Sequence, residues 1–206
     1  MPHPELHHGK LPLVVFTRLP FRPDLIRGMV TLSRTIARWN GNHTGRSPIN
    51  LITDDLTLAQ RALTVGDQRH SSRKNLADNR GVFWPYSGVI WTQPHPHDAA
   101  DDVRTLAHEM AHAIVEGDHN RRWRRMYAML LPLWWRALRP WDGIPHTYEE
   151  ATQIVMNYRK VNEDRDLDEI NSLAASTERA LDRWLGTVDY LVQDLSPSPI
   201  SISSHS

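Results

Sequence analysis

The sequence predicts an α+β fold, a small sheet with a mainly helical remainder. Three short β-branched or aromatic stretches, Leu13 to Thr17, Ile49 to Thr53 and Gly81 to Thr92, have the length and composition of strands. Apolar residues recur at helical spacing over 23–39, 98–116, 121–138 and 166–195. At 206 residues, 40% hydrophobic and 23% charged, the chain suits one domain with a substantial core. That domain is placed at 11–195, between a flexible arm over 1–10 and a Ser/Pro-rich tail over 196–206 expected to be disordered. In the arm, His3, His7 and His8 read as surface decoration.

The 24 basic and 24 acidic residues cancel, so any affinity for nucleic acid has to come from a local patch. There is no cysteine, which excludes disulfides, a thiol nucleophile and a cysteine zinc module. Any metal site must therefore use histidine and carboxylate. The amino terminus lacks a basic-then-apolar signal pattern. The longest apolar run, Met126 to Trp135, is broken by Pro132 and too short to span a bilayer. The expectation is a cytoplasmic protein with no membrane partner.

Taken in order, Leu13 to Thr17 suits a buried strand. Pro23 and Asp24 then open a helix to Trp39, with Leu25, Ile26, Met29, Leu32, Ile36 and Trp39 as its apolar stripe. The cluster Asn40 to Gly45 is a turn, and Ile49 to Thr53 a second strand. Asp54 can cap a short helix through Leu63, and the polar run from Gly66 to Arg80 reads as a surface loop. The next segment, Gly81 to Thr92, is a hairpin around Pro85-Tyr86-Ser87-Gly88. Two readings apply to it: Trp84 and Trp91 fill core, or an edge strand binds an extended peptide through its backbone. Gln93 to His97 is a loop whose His95 and His97 read as solvated.

The central helix contains His108-Glu109-Met110-Ala111-His112. Histidines four apart project from one helix face, so both imidazoles can reach one cation while Glu109 stays beside them. Val103, Leu106, Ala107, Met110, Ala111 and Ile114 supply the buried stripe, and Asp98, Asp101 and Asp102 suit the positive helix end. Catalytic zinc takes three protein ligands and keeps a fourth position for water, and a glutamate beside it can act as general base. Gly117 can stop the helix in the left-handed conformation, letting His119 return toward the pair.

Beyond His119, Trp123, Met126, Leu130, Leu133, Trp134 and Leu138 form a helical stripe, with a kink expected at Pro132. Arg121, Arg122, Arg124 and Arg125, with Arg136 and Arg139, form a basic patch that is either a solvated face or a phosphate contact. Thr147 can cap a further helix whose first turn holds Glu149 and Glu150. Over 166–195, Leu167, Ile170, Leu173, Ala174, Leu181, Trp184, Leu185, Val188, Leu191 and Val192 predict one or two amphipathic helices, with Gly186 a break.

A strand, then Thr105-Leu106-Ala107-His108-Glu109-Met110-Ala111-His112-Ala113, then a histidine followed four residues later by an aromatic and soon a methionine, resembles the SprT-like and WLM group of zinc metallopeptidases. The likeness covers roughly 80 to 127. It implies a zincin-like domain that binds Zn²⁺ and hydrolyses peptide bonds of protein substrates. Position by position, His108, His112 and His119 would be ligands, Glu109 the general base and Trp123 a packing residue. Related proteases act on DNA-bound proteins, which would give Arg121, Arg122, Arg124 and Arg125 a partner. Many members carry a cysteine zinc module after the protease domain; this chain has none.

Two alternatives stand beside this reading. In gluzincin-type peptidases the third ligand is a downstream glutamate in an ExxA-type pattern. Glu149-Glu150-Ala151-Thr152-Gln153 resembles it loosely, with Thr152 where alanine is expected. The oxyanion partner is open among Tyr148, His146 and the arginines. The other alternative is a non-catalytic module on the same fold, binding protein or nucleic acid through the arginine-rich helix.

Overall fold

Four short strands make a sheet in the order β1-β2-β4-β3: β1 (Leu13–Val15), β2 (Leu51–Thr53), β3 (Gly81–Trp84) and β4 (Val89–Thr92). β1, β2 and β4 run parallel, and β3 turns back antiparallel on β4 with Gly81 opposite Thr92 and Trp84 opposite Val89. The computed structural model describes residues 9–41, 48–71, 76, 79–115, 119–138 and 181–194. Several sequence expectations lie outside them: the arm with His3, His7 and His8, Gly117, Arg139, the segment with His146, Thr147, Tyr148, Glu149 and Glu150, the stretch 166–180, and the tail.

Period-two alternation buries both faces of the sheet. Val14, Ile52 and Ile90 point to the main core, while Leu51, Val82, Trp84, Val89 and Trp91 join Ala59 and Leu63 in a second cluster on the opposite face. Trp84 and Trp91 are therefore core residues. As the sheet edge, β1 is less buried than expected, with Leu13 57% exposed.

The helices are α1 (Pro23–Trp39), α2 (Leu56–Arg61), α3 (Val65–Ser71), α4 (Ala99–Ile114) and α5 (Arg121–Leu138), and residues 181–194 are also helical. Proline opens α1 and Asp24 bonds Arg27 at 2.7 Å in its first turn. Leu25, Ile26, Met29, Leu32 and Ile36 are buried as the stripe requires. Trp39 is not: it is 61% exposed, standing edge-on to Trp184 with the Arg183 guanidinium over its ring. The main core gathers α1, α4, α5 and 181–194 on one face of the sheet. Each fully buried Leu, Ile or Met there contributes about 1.5 to 3 kcal/mol.

Several local expectations are corrected. Asp55, not Asp54, caps α2, accepting from the amides of Thr57 and Leu58. Asp54 is buried and serves a tertiary role: its carboxylate accepts from the amides of Thr17, Arg18 and Leu19 at 2.7 to 2.8 Å and from the Thr17 hydroxyl at 3.0 Å. Part of the expected loop 66–80 is helix α3. It has no apolar stripe and is held through buried Asp67, which accepts from the amide and hydroxyl of Ser87 in the hairpin turn. The helix over 181–194 runs through Gly186, where the sequence predicts a break, and α5 holds Pro132 inside it as the expected kink requires. Among the described residues no helix is long and apolar enough to cross a membrane.

Candidate metal centre

His108, Glu109 and His112 lie on α4, whose start is fixed by Asp98. The Asp98 carboxylate accepts from the amides of Ala100 and Asp101 and satisfies two of the open helix donors. Met110, Ala111 and Ile114 hold the opposite side of the helix in the core. This leaves the two histidines one turn apart on the face turned toward α5.

α5 begins with a cap of its own. The Asn120 side chain accepts from the Trp123 amide at 3.0 Å and its carbonyl from the Arg124 amide at 2.9 Å. His119 is the residue immediately before that cap, so the helix start that fixes Trp123 also fixes His119. Trp123 is buried against all three imidazoles, with ring centroids 4.7 Å from His108, 5.0 Å from His112 and 4.3 Å from His119. Tyr127, one turn further along α5 and also buried, stands 5.5 Å from His108. Trp123 thus has the packing position expected of it, and Tyr127 extends the same wall.

The three imidazoles meet through one atom each. The Nε2 atoms of His108, His112 and His119 form a triangle with all sides 3.2 Å. A cation about 2.0 Å from three nitrogens in tetrahedral arrangement requires them about 3.3 Å apart. Hydrogen bonding explains the triangle poorly, since a closed three-membered ring of N–H donors holds each proton far off the line to its acceptor. The three residues can together hold a metal ion. Burial, followed by the neighbouring His112 and His119, pushes His108 down to about 3, which keeps it neutral and able to donate its lone pair at pH 7.

Glu109 is 6% exposed, and its Oε1 lies 3.9 Å from His108 Nε2. The carboxylate is close to the triangle but is not one of its three donors. His108 and His112 are half-buried and His119 is exposed, so the triangle opens to solvent on the His119 side.

Other sequence candidates are placed elsewhere. The His95 amide donates to buried Asp102 at 2.7 Å, and the His97 amide donates to His95 Nδ1 at 3.3 Å; both serve the loop before α4. Arg121, Arg122 and Arg125 are exposed on the first turns of α5 and Arg124 is half-buried. Arg136 is drawn away from that group by a two-pronged bond to Asp189 at 2.8 and 3.1 Å. Three more residues, not assigned from the sequence, shape the site: Asn120 through its cap, Tyr127 through its ring, and Gly81, whose backbone lies against Thr105 and Glu109. Asn after the third histidine is a cap signal, Tyr127 is four residues beyond Trp123, and a glycine opening a strand marks close backbone approach.

Compared with known proteins, the chain matches no family model, no curated protein and no solved structure.

Proposed function

We propose that this chain is a zinc-dependent metallopeptidase on a zincin-like fold, related in mechanism to the SprT-like and WLM group. The observation that carries the reading is the 3.2 Å Nε2 triangle with the Glu109 carboxylate beside it. Three neutral nitrogen donors without thiolate suit zinc, and they leave the open side of the triangle for substrate and water. Zinc held there would supply Lewis acidity, polarising the scissile carbonyl and acidifying a water molecule.

The protein's own groups do the remaining work. Glu109 takes a proton from the attacking water and delivers it to the leaving amine as the carbon–nitrogen bond breaks. Its burial strengthens that exchange by limiting competition from bulk water. Trp123 holds the three rings in place, so the donors do not reorganise during turnover. β3 is an edge of the sheet packed beside α4, which supports binding of an extended peptide through backbone hydrogen bonds. The exposed Arg121, Arg122 and Arg125 support a phosphate contact, and DNA-associated proteins are the substrate class we propose.

The test pairs zinc content with cleavage of an unfolded protein substrate, with and without DNA, in the parent and in Glu109→Gln. One zinc per chain in both proteins is expected, with chelator-sensitive cleavage lowered roughly 10² to 10⁴-fold by the substitution. A zinc-loaded parent that cleaves nothing would overturn the peptidase reading in favour of a binding module.

A further inference from the structure

We infer that Gly81 is a positioning residue for Glu109, and that the space left by its absent side chain lets the Glu109 side chain lie where it does, beside Thr105. The inference rests on the peptidase reading and adds a residue to it.

Glycine is placed in a chain for conformation or for space. Conformation does not explain Gly81: among the described glycines only Gly41 and Gly88 have positive φ. Space does. A Cβ built on Gly81 would lie 2.5 Å from Thr105 Cγ2, 2.9 Å from Glu109 Cγ and 3.1 Å from Glu109 Oε1. Carbon atoms normally approach to about 3.5 to 4.0 Å. β3 therefore lies against α4 where the strand has no side chain, and the Thr105 methyl and the side chain of the proposed base share that space.

Thr105 and Glu109 are four residues apart on α4, so both meet Gly81 from one helix face. They differ in how they can yield. Thr105 is β-branched and stiff at χ1, whereas the longer Glu109 side chain can rotate out of the way. A methyl group at position 81 thus forces the carboxylate off its place beside His108. A displacement of about 1 Å at a reacting group can cost about 10²-fold in rate.

The experiment separates that effect from simple loosening of the strand. Thr105→Ser removes the Cγ2 atom that makes the tightest contact and leaves Glu109 untouched. In Gly81→Ala/Thr105→Ser we expect thermal stability and zinc content near those of Thr105→Ser, a kcat lowered about 10²-fold and a KM within about threefold. A crystal structure of the zinc-loaded double variant should show the Glu109 carboxylate displaced from its parental position. Recovery of kcat together with stability, or an unmoved carboxylate, would overturn the inference while leaving the peptidase reading standing. A parent without peptidase activity overturns that reading and the catalytic part of this one; the position of Glu109 in the double variant then decides the steric part by itself.

Discussion

Removing His119 separates the metal from the fold more cleanly than removing either helix histidine. The half-buried His108 ring packs against Trp123 and Tyr127, so truncating it leaves a hole beside them whatever the metal does. His119 is exposed, and its replacement by alanine removes one corner of the 3.2 Å triangle and a ring contact with Trp123, without opening a hole behind it. In chelator the variant and parent should melt within about 1 to 2 °C of each other, because exposed substitutions usually change stability by less than about 0.5 kcal/mol. With free zinc at about 1,000 times its Kd, binding to the native state stabilises the parent by about 4 kcal/mol. For a chain of this size that raises Tm by roughly 8 to 16 °C. If losing one of three donors weakens binding by about 100-fold, about 2.7 kcal/mol of the gain disappears and the variant rises only a few degrees. Differential scanning calorimetry with and without zinc reads both differences. An equal zinc-induced rise in the two proteins would show that His119 is not a ligand, and a large difference in chelator would show that it matters to the fold.

Three further outcomes follow from single residues. Asp54→Asn should cost about 2 to 4 kcal/mol at pH 7, because one carbonyl oxygen replaces a carboxylate that four donors engage. Burial raises the Asp54 pKa, but the amides of Thr17, Leu19 and Arg18 and the Thr17 hydroxyl lower it further, so its net shift is downward. Its stabilisation is full above the unfolded value of about 3.9 and fades as pH falls through the folded value. Urea melts giving the same Asp54→Asn loss at pH 7 and pH 2.5 would contradict this. Asp102 is the opposite case: burial, aided by Asp101 and Asp98 and opposed by the His95 amide and His95, pushes it up to about 6. The folded state holds the extra proton, so this contribution to stability declines as pH rises from about 4 to 6. Asp102→Asn keeps an acceptor for His95 and should raise stability at pH 8 by about 1 to 3 kcal/mol with little gain at pH 4; a loss at pH 8 would refute the sign. Gly186 is exposed within a helix with no atom near where a Cβ would stand, so Gly186→Ala should raise stability by about 0.5 to 1 kcal/mol in thermal or urea unfolding. An unchanged midpoint would count against an ordered helix there.

What the sequence revealed follows the range of the forces involved. α1 and the 81–92 hairpin were legible because proline, helical periodicity and a turn with glycine are local signals. Gly88 illustrates the turn: its φ is 64° and a Cβ there would sit 1.9 Å from the Pro48 carbonyl oxygen. The pairing of His108 with His112 was also local, a property of one helix turn. The roles of Asp54 and α3 are not legible locally because they are set by partners distant in the chain, the amides of 17–19 and Ser87. Spacing alone showed neither.

His119 lies between these cases. Its distance from His112 left its partner open, and the rival glutamates lie outside the described residues. What brings it to the pair is the start of α5: Asn120 caps the helix, Trp123 one turn in packs on all three rings, and the residue before the cap meets His108 and His112. Trp123 therefore has two connected functions, burying apolar surface between α4 and α5 and setting the spacing of the three nitrogens. The packing that joins the two helices is the packing that closes the triangle, so a metal bound there and the α4–α5 contact stabilise the same arrangement. The β3 edge meets α4 independently, at Gly81, from the sheet side. The donors are thus set by helix on helix and the proposed base by strand on helix, which allows each to be altered by mutation without removing the other.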